Sequence, residues 1–141
     1  MIIDASVAVK WILPEEFSEQ AELLLSKHNN MYAPSIVNLE VVSAITKRYR
    51  MGALSRNLTY MALNEWEKHI KKESIILVKN SEIWEEAKEL TLSIPHSFPD
   101  CLYLALAKYK QLPLVTADKV FIGKAKKYYN DIVNISNFLL H

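Results

Sequence analysis

Short apolar runs rich in β-branched residues alternate along the chain with longer stretches whose apolar positions recur every three or four residues. The short runs, at 1–4, 30–33, 75–78, 112–116 and 132–134, have the length and composition of strands. Between them the pattern predicts helices over 15–27, 35–49, 56–70, 82–92, 98–108 and 118–129, with a short helical turn over 136–140. In 15–27, Phe17, Ala21, Leu24 and Leu25 share one face, whereas 35–49 is apolar almost all round. A helix of the second kind is buried on more than one side. Strands alternating with helices of crossover length imply a parallel sheet with both faces covered, an α/β sandwich. Two helical segments between the second and third strands are one more than a crossover needs, which predicts a helical protrusion on one side.

Composition narrows the class. A chain of 141 residues is expected to form one domain over 1–141, burying roughly 68–70% of its unfolded surface without staples. The glycines are Gly52 and Gly123 alone, so no glycine-rich phosphate loop is present and nucleotide binding of that kind is disfavoured. Seventeen basic residues against 16 acidic leave a net charge of +1. That excludes a protein living on nucleic acid through bulk charge, but not an enzyme that grips RNA through a local patch. Cys101 is the single cysteine, which fits a reducing compartment and a buried small residue. No basic segment leads into an apolar signal core, and the apolar runs are too short to span a bilayer. A cytoplasmic protein without membrane contact is expected.

The candidate chemistry lies in four carboxylates. Asp4 ends the first strand, Asp118 follows Pro113-Leu-Val-Thr116 and opens a helix, and Asp100 sits in Ser97-Phe-Pro-Asp100, an apparent capping box. Each of the three is explained equally well as a helix cap. Glu40 is different. It lies among Ile36, Val37, Ser43 and Ala44 on an apolar helix, and the next basic residue is Lys47, nearly two turns on. A glutamate there needs a partner from elsewhere in the fold, and a cation would serve. In open parallel sheets the working site lies beyond the carboxyl ends of the strands, where strand order reverses. If the first and fourth strands are neighbours, all four acids reach one pocket. Carboxylates gathered in that way repel one another unless neutralised by protons or by a hard cation such as Mg2+ or Mn2+.

The stretches MIIDASV, APSIVNLEVVSAI and FPDCLYLALAKYKQLPLVTAD, in that order and at that spacing, resemble the PIN-domain nucleases, specifically VapC-type toxins of toxin–antitoxin pairs. The resemblance spans nearly the whole chain. It implies a three-layer α/β/α fold with a five-stranded parallel sheet of order 3-2-1-4-5. It also implies Mg2+- or Mn2+-dependent cleavage of RNA, a homodimer, and inhibition by a cognate VapB-type antitoxin. The family's acidic quartet carries over onto Asp4, Glu40, Asp100 and Asp118 as catalytic and metal-holding residues, and its polar helpers onto Ser6 and Thr116. Some members carry a further acid after the last aspartate, where this chain has Lys119 and Val120; one or two metals remain compatible. A housekeeping RNA-processing nuclease with the same site, or a PIN module that binds RNA or protein without cleaving, are the alternatives.

The remaining features add less. Lys47, Arg48, Arg50 and Arg56 form a basic stretch after the Glu40 helix, either a solvated face or an RNA contact; Lys124, Lys126 and Lys127 read the same way. His28, His69, His96 and His141 lack metal-ligand spacing; His96, which precedes Asp100, reads either as lining the pocket or, with more weight, as a surface loop residue. Trp11, Trp66 and Trp84 read as packing or interface residues. A haloacid-type phosphatase needs an aspartate two positions after the first, where this chain has Ser6, and a receiver domain needs one after its third strand, where Val78 leads into Lys79 and Asn80.

Overall fold

The computed structural model describes residues 1–138. Five short parallel strands form one sheet: β1 (Ile2–Ile3), β2 (Tyr32–Pro34), β3 (Ile76–Val78), β4 (Leu114–Thr116) and β5 (Ile132–Asn134), in the order β3-β2-β1-β4-β5. The expected strand order is therefore found. β1 is central, with Ile2 opposite both Tyr32 and Leu114, and Ile3 opposite Val115. Both isoleucines are fully buried, as a strand covered on two faces requires.

The helices are α1 (Ala5–Ala8), α2 (Ser18–Lys27), α3 (Ile36–Arg50), α4 (Arg56–Lys71), α5 (Trp84–Ser93), α6 (Phe98–Lys110) and α7 (Lys119–Ala125). Right-handed crossovers dictate their distribution. The chain moves from β1 to β2 to β3 in one direction, which sets α1–α4 on one face. It then returns across β1 to β4 and on to β5, which sets α5–α7 on the other. The result is the three-layer sandwich. α6 is the most enclosed helix: Cys101 through Ala107 are all buried, because α6 lies on β1, β2 and β4 and packs against α5. α3 and α4 pack on each other as the additional helical pair. α4 presents Thr59, Ala62 and Trp66 inward, a spacing of three and four residues that keeps one face down.

Several elements differ from expectation. The helix expected over 15–27 begins only at Ser18, because Phe17 takes a left-handed conformation (φ 66°) and the Ser18 hydroxyl turns back to accept from the Glu15 amide at 3.0 Å. Residues 5–11 carry α1 and a 3-10 turn (Val9–Trp11) that the pattern did not announce. The helix expected over 118–129 stops at Ala125, after which the amides of Tyr128 and Tyr129 both turn back onto the Ala125 carbonyl. The turn expected over 136–140 is in part a 3-10 turn at Ile135–Asn137; Leu139 and Leu140 lie outside the described residues. Trp66 is fully buried and donates its indole N–H to Asn38 Oδ1 at 2.9 Å. It belongs to the core of the single chain and not to an interface.

Candidate active site

The reversal of strand order falls between β1 and β4, and two loops cross there. Asp4 follows β1 and caps α1, its Oδ1 accepting from the Val7 amide at 3.2 Å. The same carboxylate is held by two hydroxyls: Ser6 Oγ donates to Oδ1 at 2.6 Å, and Thr116 Oγ1 donates to Oδ2. Ser6 also accepts from the opposite loop, from the Ala117 amide at 3.0 Å, while Thr116 accepts from the Asp118 amide of its own turn at 3.1 Å. The β1–α1 and β4–α7 turns are thus stitched together around Asp4. Burial pushes its carboxyl up to about 6 despite these hydrogen bonds, and the charge of Asp100 adds to the rise.

Asp118 caps α7 through Oδ1, which accepts from the Phe121 amide at 2.9 Å; Oδ2 is left facing His96 Nε2 at 3.7 Å. Asp100 behaves otherwise than its sequence suggested. Ser97 makes no side-chain cap to α6. Its hydroxyl instead donates to Asp100 Oδ2 at 3.0 Å, the same oxygen that meets His96 Nε2 at 2.6 Å. The capping box fails because the Asp100 carboxylate is drawn to the imidazole and the hydroxyl rather than back to the helix end.

Glu40 reaches the site from the second turn of α3. Tyr103 of α6, 1% exposed, donates its hydroxyl to Glu40 Oε1 at 2.5 Å. Burial raises the Glu40 carboxyl; the Tyr103 bond opposes this and the Asp100 charge reinforces it. Burial first, then the adjoining Glu40 charge, keeps the Tyr103 hydroxyl protonated far above its ordinary range. Asp100 therefore joins the two halves of the pocket: its charge is felt by Asp4 and Glu40, and His96 connects it to Asp118.

His96 takes the pocket position to which sequence reasoning gave less weight than a surface loop. Its side chain is only 13% exposed, and its ring stacks on Phe121 with centroids 4.6 Å apart. The signal was its position four residues before Asp100, across a helix start containing Pro99. Tyr103 was missed, because a tyrosine inside an apolar helix reads as core. The basic stretch after Glu40 divides. Arg48 is engaged by Glu15, which also takes Lys10 Nζ at 3.2 Å, while Lys47 and Arg50 are exposed. Lys124 donates to the Pro95 carbonyl at 2.9 Å.

The donor chemistry suits a divalent cation. Among the described residues, every ion pair of a lysine or arginine goes to a glutamate outside this group, and none goes to Asp4, Glu40, Asp100 or Asp118. Donor atoms of His96, Asp100 and Asp118 lie within 4.8 Å of one another. Carboxylates this close, without a lysine or arginine partner, favour a hard cation in their midst.

A three-layer fold with acids gathered where strand order reverses defines a class that comparison with known proteins identifies. Residues 1–127 match the PIN domain, and the chain belongs to that family. Within it the similarity is to VapC proteins. Over 127 residues the chain is 30% identical to Ribonuclease VapC3 of Pyrobaculum aerophilum, covering 88% of this chain and 93% of that protein. A toxin–antitoxin complex from Klebsiella pneumoniae superposes with a TM-score of 0.64 at 20% identity, over 95% of this chain and 96% of its counterpart. VapC20 of Mycobacterium tuberculosis, described as a sarcin–ricin-loop-cleaving toxin, gives 0.67 at 15% identity, over 86% and 92%. At those identities the two structures attest the fold.

Proposed function

We propose that this chain is a metal-dependent endoribonuclease acting as the toxin of a toxin–antitoxin pair. The observation that carries the reading is the gathering of buried and half-buried carboxylates around Asp100 with no lysine or arginine to neutralise them. The similarity to Ribonuclease VapC3 supports RNA as the substrate class. Asp4, Asp100 and Asp118 would hold Mg2+ or Mn2+, with Glu40 as a further ligand or as the base that orients water. When bound, such an ion offsets charge on the phosphate and acidifies water. The chain's own groups do the rest. Ser6 and Thr116 fix the direction of the Asp4 carboxylate, and Tyr103 fixes that of Glu40. Burial raises the Glu40 carboxyl above its ordinary value, which makes its carboxylate a stronger proton acceptor. Lys47 and Arg50, exposed on α3, would meet the RNA backbone, with Arg48 restrained by Glu15.

The partners follow from the same site and from the surface. A VapB-type antitoxin would place a basic side chain against the acids, substituting for the cation by charge-assisted hydrogen bonds. Leu39, Met51, Leu58 and Met61 lie exposed on or beside α3 and α4, which supports a homodimer. Among the described residues no helix is long and apolar enough to cross a membrane, and cytoplasmic RNA is the substrate we assign. The test is incubation of the purified chain with a pool of cellular RNA in Mg2+, in Mn2+ and in chelator. Cleavage that needs the divalent ion and is lost in Asp100→Asn is expected; full cleavage in chelator would overturn the metal reading.

A further inference from the structure

We propose that His96 is itself a metal ligand, giving the site one nitrogen donor beside its carboxylate oxygens; this rests on the metal-dependent reading above. The argument is geometric. Asp118 Oδ1 is committed to the Phe121 amide, so Oδ2 is the oxygen left for an ion, and Oδ2 is the atom that His96 Nε2 approaches at 3.7 Å. On the other side Nε2 lies 2.6 Å from Asp100 Oδ2. One ring nitrogen therefore meets two carboxylates from two helices, and the three donor atoms fall within 4.8 Å of one another.

The ring is held for this task. It stacks on Phe121 in the first turn of α7, the helix that Asp118 caps. The backbone before it is fixed by Lys124 Nζ on the Pro95 carbonyl at 2.9 Å, and the His96 amide bonds the Ile94 carbonyl at 2.7 Å. A histidine placed only to pair with Asp100 would need none of the approach to Asp118. Ligation uses the Nε2 lone pair, so an incoming ion displaces to solvent the proton that lies between Nε2 and Asp100 Oδ2, and the bound tautomer keeps its proton on Nδ1.

The consequence is metal preference. Carboxylate oxygens alone suit Mg2+ and Mn2+, whereas imidazole favours the later first-row ions. The chain should therefore prefer Co2+ over Mg2+ more strongly than an all-oxygen site would, and His96→Gln, which offers an amide oxygen instead, should lose that excess.

Two measurements test this. Electron spin echo modulation of Mn2+ bound to the wild-type chain should show a directly coordinated nitrogen whose coupling changes on 15N labelling of histidine. His96→Gln should bind Mn2+ without that coupling. By calorimetry, the ratio of Co2+ to Mg2+ affinity should fall about tenfold or more in the variant. Mn2+ bound to the wild type without nitrogen coupling, or an unchanged ratio, would overturn the ligand role and leave the carboxylate site standing. No Mn2+ binding at all would overturn the metal-dependent reading together with this one. Should the variant fail to fold, the isotope-labelled wild type decides alone.

Discussion

Asp4 is both a helix cap and a pocket carboxylate, and the two roles use different parts of the group. Oδ1 takes the Val7 amide and the Ser6 hydroxyl, while Oδ2 takes Thr116. Its charge is the costly part. The carboxyl titrates near 6 in the folded chain against 3.8 when unfolded. Between those values the folded state holds more protons than the unfolded one, so metal-free stability falls as pH rises from about 4 to about 6. The loss is on the order of 3 kcal/mol. Asp4→Asn keeps the cap and lacks the titration. Urea unfolding in chelator should show the variant gaining on wild type across that window and holding the gain above it, while RNA cleavage is lost. A stability difference flat with pH would contradict the burial assigned to Asp4. Asp118 separates the same two roles by substitution. An asparagine amide oxygen can still accept from the Phe121 amide, so Asp118→Asn should retain stability, whereas Asp118→Ala should cost about 1 kcal/mol from the lost cap. Both variants should lose cleavage and most of their Mn2+-induced rise in melting temperature. Equal stability of the two would remove the capping role; retained cleavage in either would remove the other. At this scale the sequence was legible in residue type and order, since the four acids stand out as soon as the strands are placed. What it could not supply was which atom each acid spends on its own backbone. The Ser97–Asp100 box looked like a cap and is not one, because a histidine four residues upstream competes for the carboxylate.

At the scale of elements, legibility followed length. Buried parallel strands announce themselves as apolar runs, and helices of ten residues or more show their period. α1 has four residues, a single turn in which no period can repeat, and it is made by the Asp4 cap and by packing against α3. The contact between α3 and α6 through Glu40 and Tyr103 was equally hidden, since the two residues are separated by 63 positions. Tyr103→Phe removes that hydroxyl without changing the ring. The loss should cost about 1.5 kcal/mol, the low end for a hydrogen bond to a charged group, because Glu40 keeps access to water. The bond lowers the Glu40 pKa, so its removal should also move the acidic limb of the cleavage profile to higher pH. A variant of lower stability with an unmoved limb would make Tyr103 purely structural.

For the whole molecule, the order β3-β2-β1-β4-β5 places the acids together once β1 and β4 are neighbours, and the sequence order of strands and helices leaves few other right-handed solutions. Association turns on which apolar groups the chain leaves uncovered. Trp66 looked available for an interface and is enclosed by its own chain, with its N–H satisfied by Asn38. The exposed apolar side chains are others: Leu39 and Met51 at 66% and 72%, and Leu58 and Met61 of α4 at 52% and 65%. Several long apolar groups left in water on one helical pair are worth burying, at roughly 25 cal/mol per Å2 of apolar surface removed. If that surface forms the homodimer, a charge at the most exposed apolar position of α4 should break it without touching the fold. Met61→Glu, at a side chain that stands in solvent in the single chain, should halve the mass measured by light scattering at micromolar concentration. Its far-ultraviolet spectrum and urea midpoint measured on the monomeric species should stay unchanged. A Trp84→Ala control removes an exposed aromatic, 44% exposed and packed edge-to-face against Phe98 of α6 across the sheet from α4, and should leave the dimer intact. A wild-type chain of monomer mass would refute the dimer outright, and dissociation by Trp84→Ala with Met61→Glu still dimeric would move the interface to the opposite face.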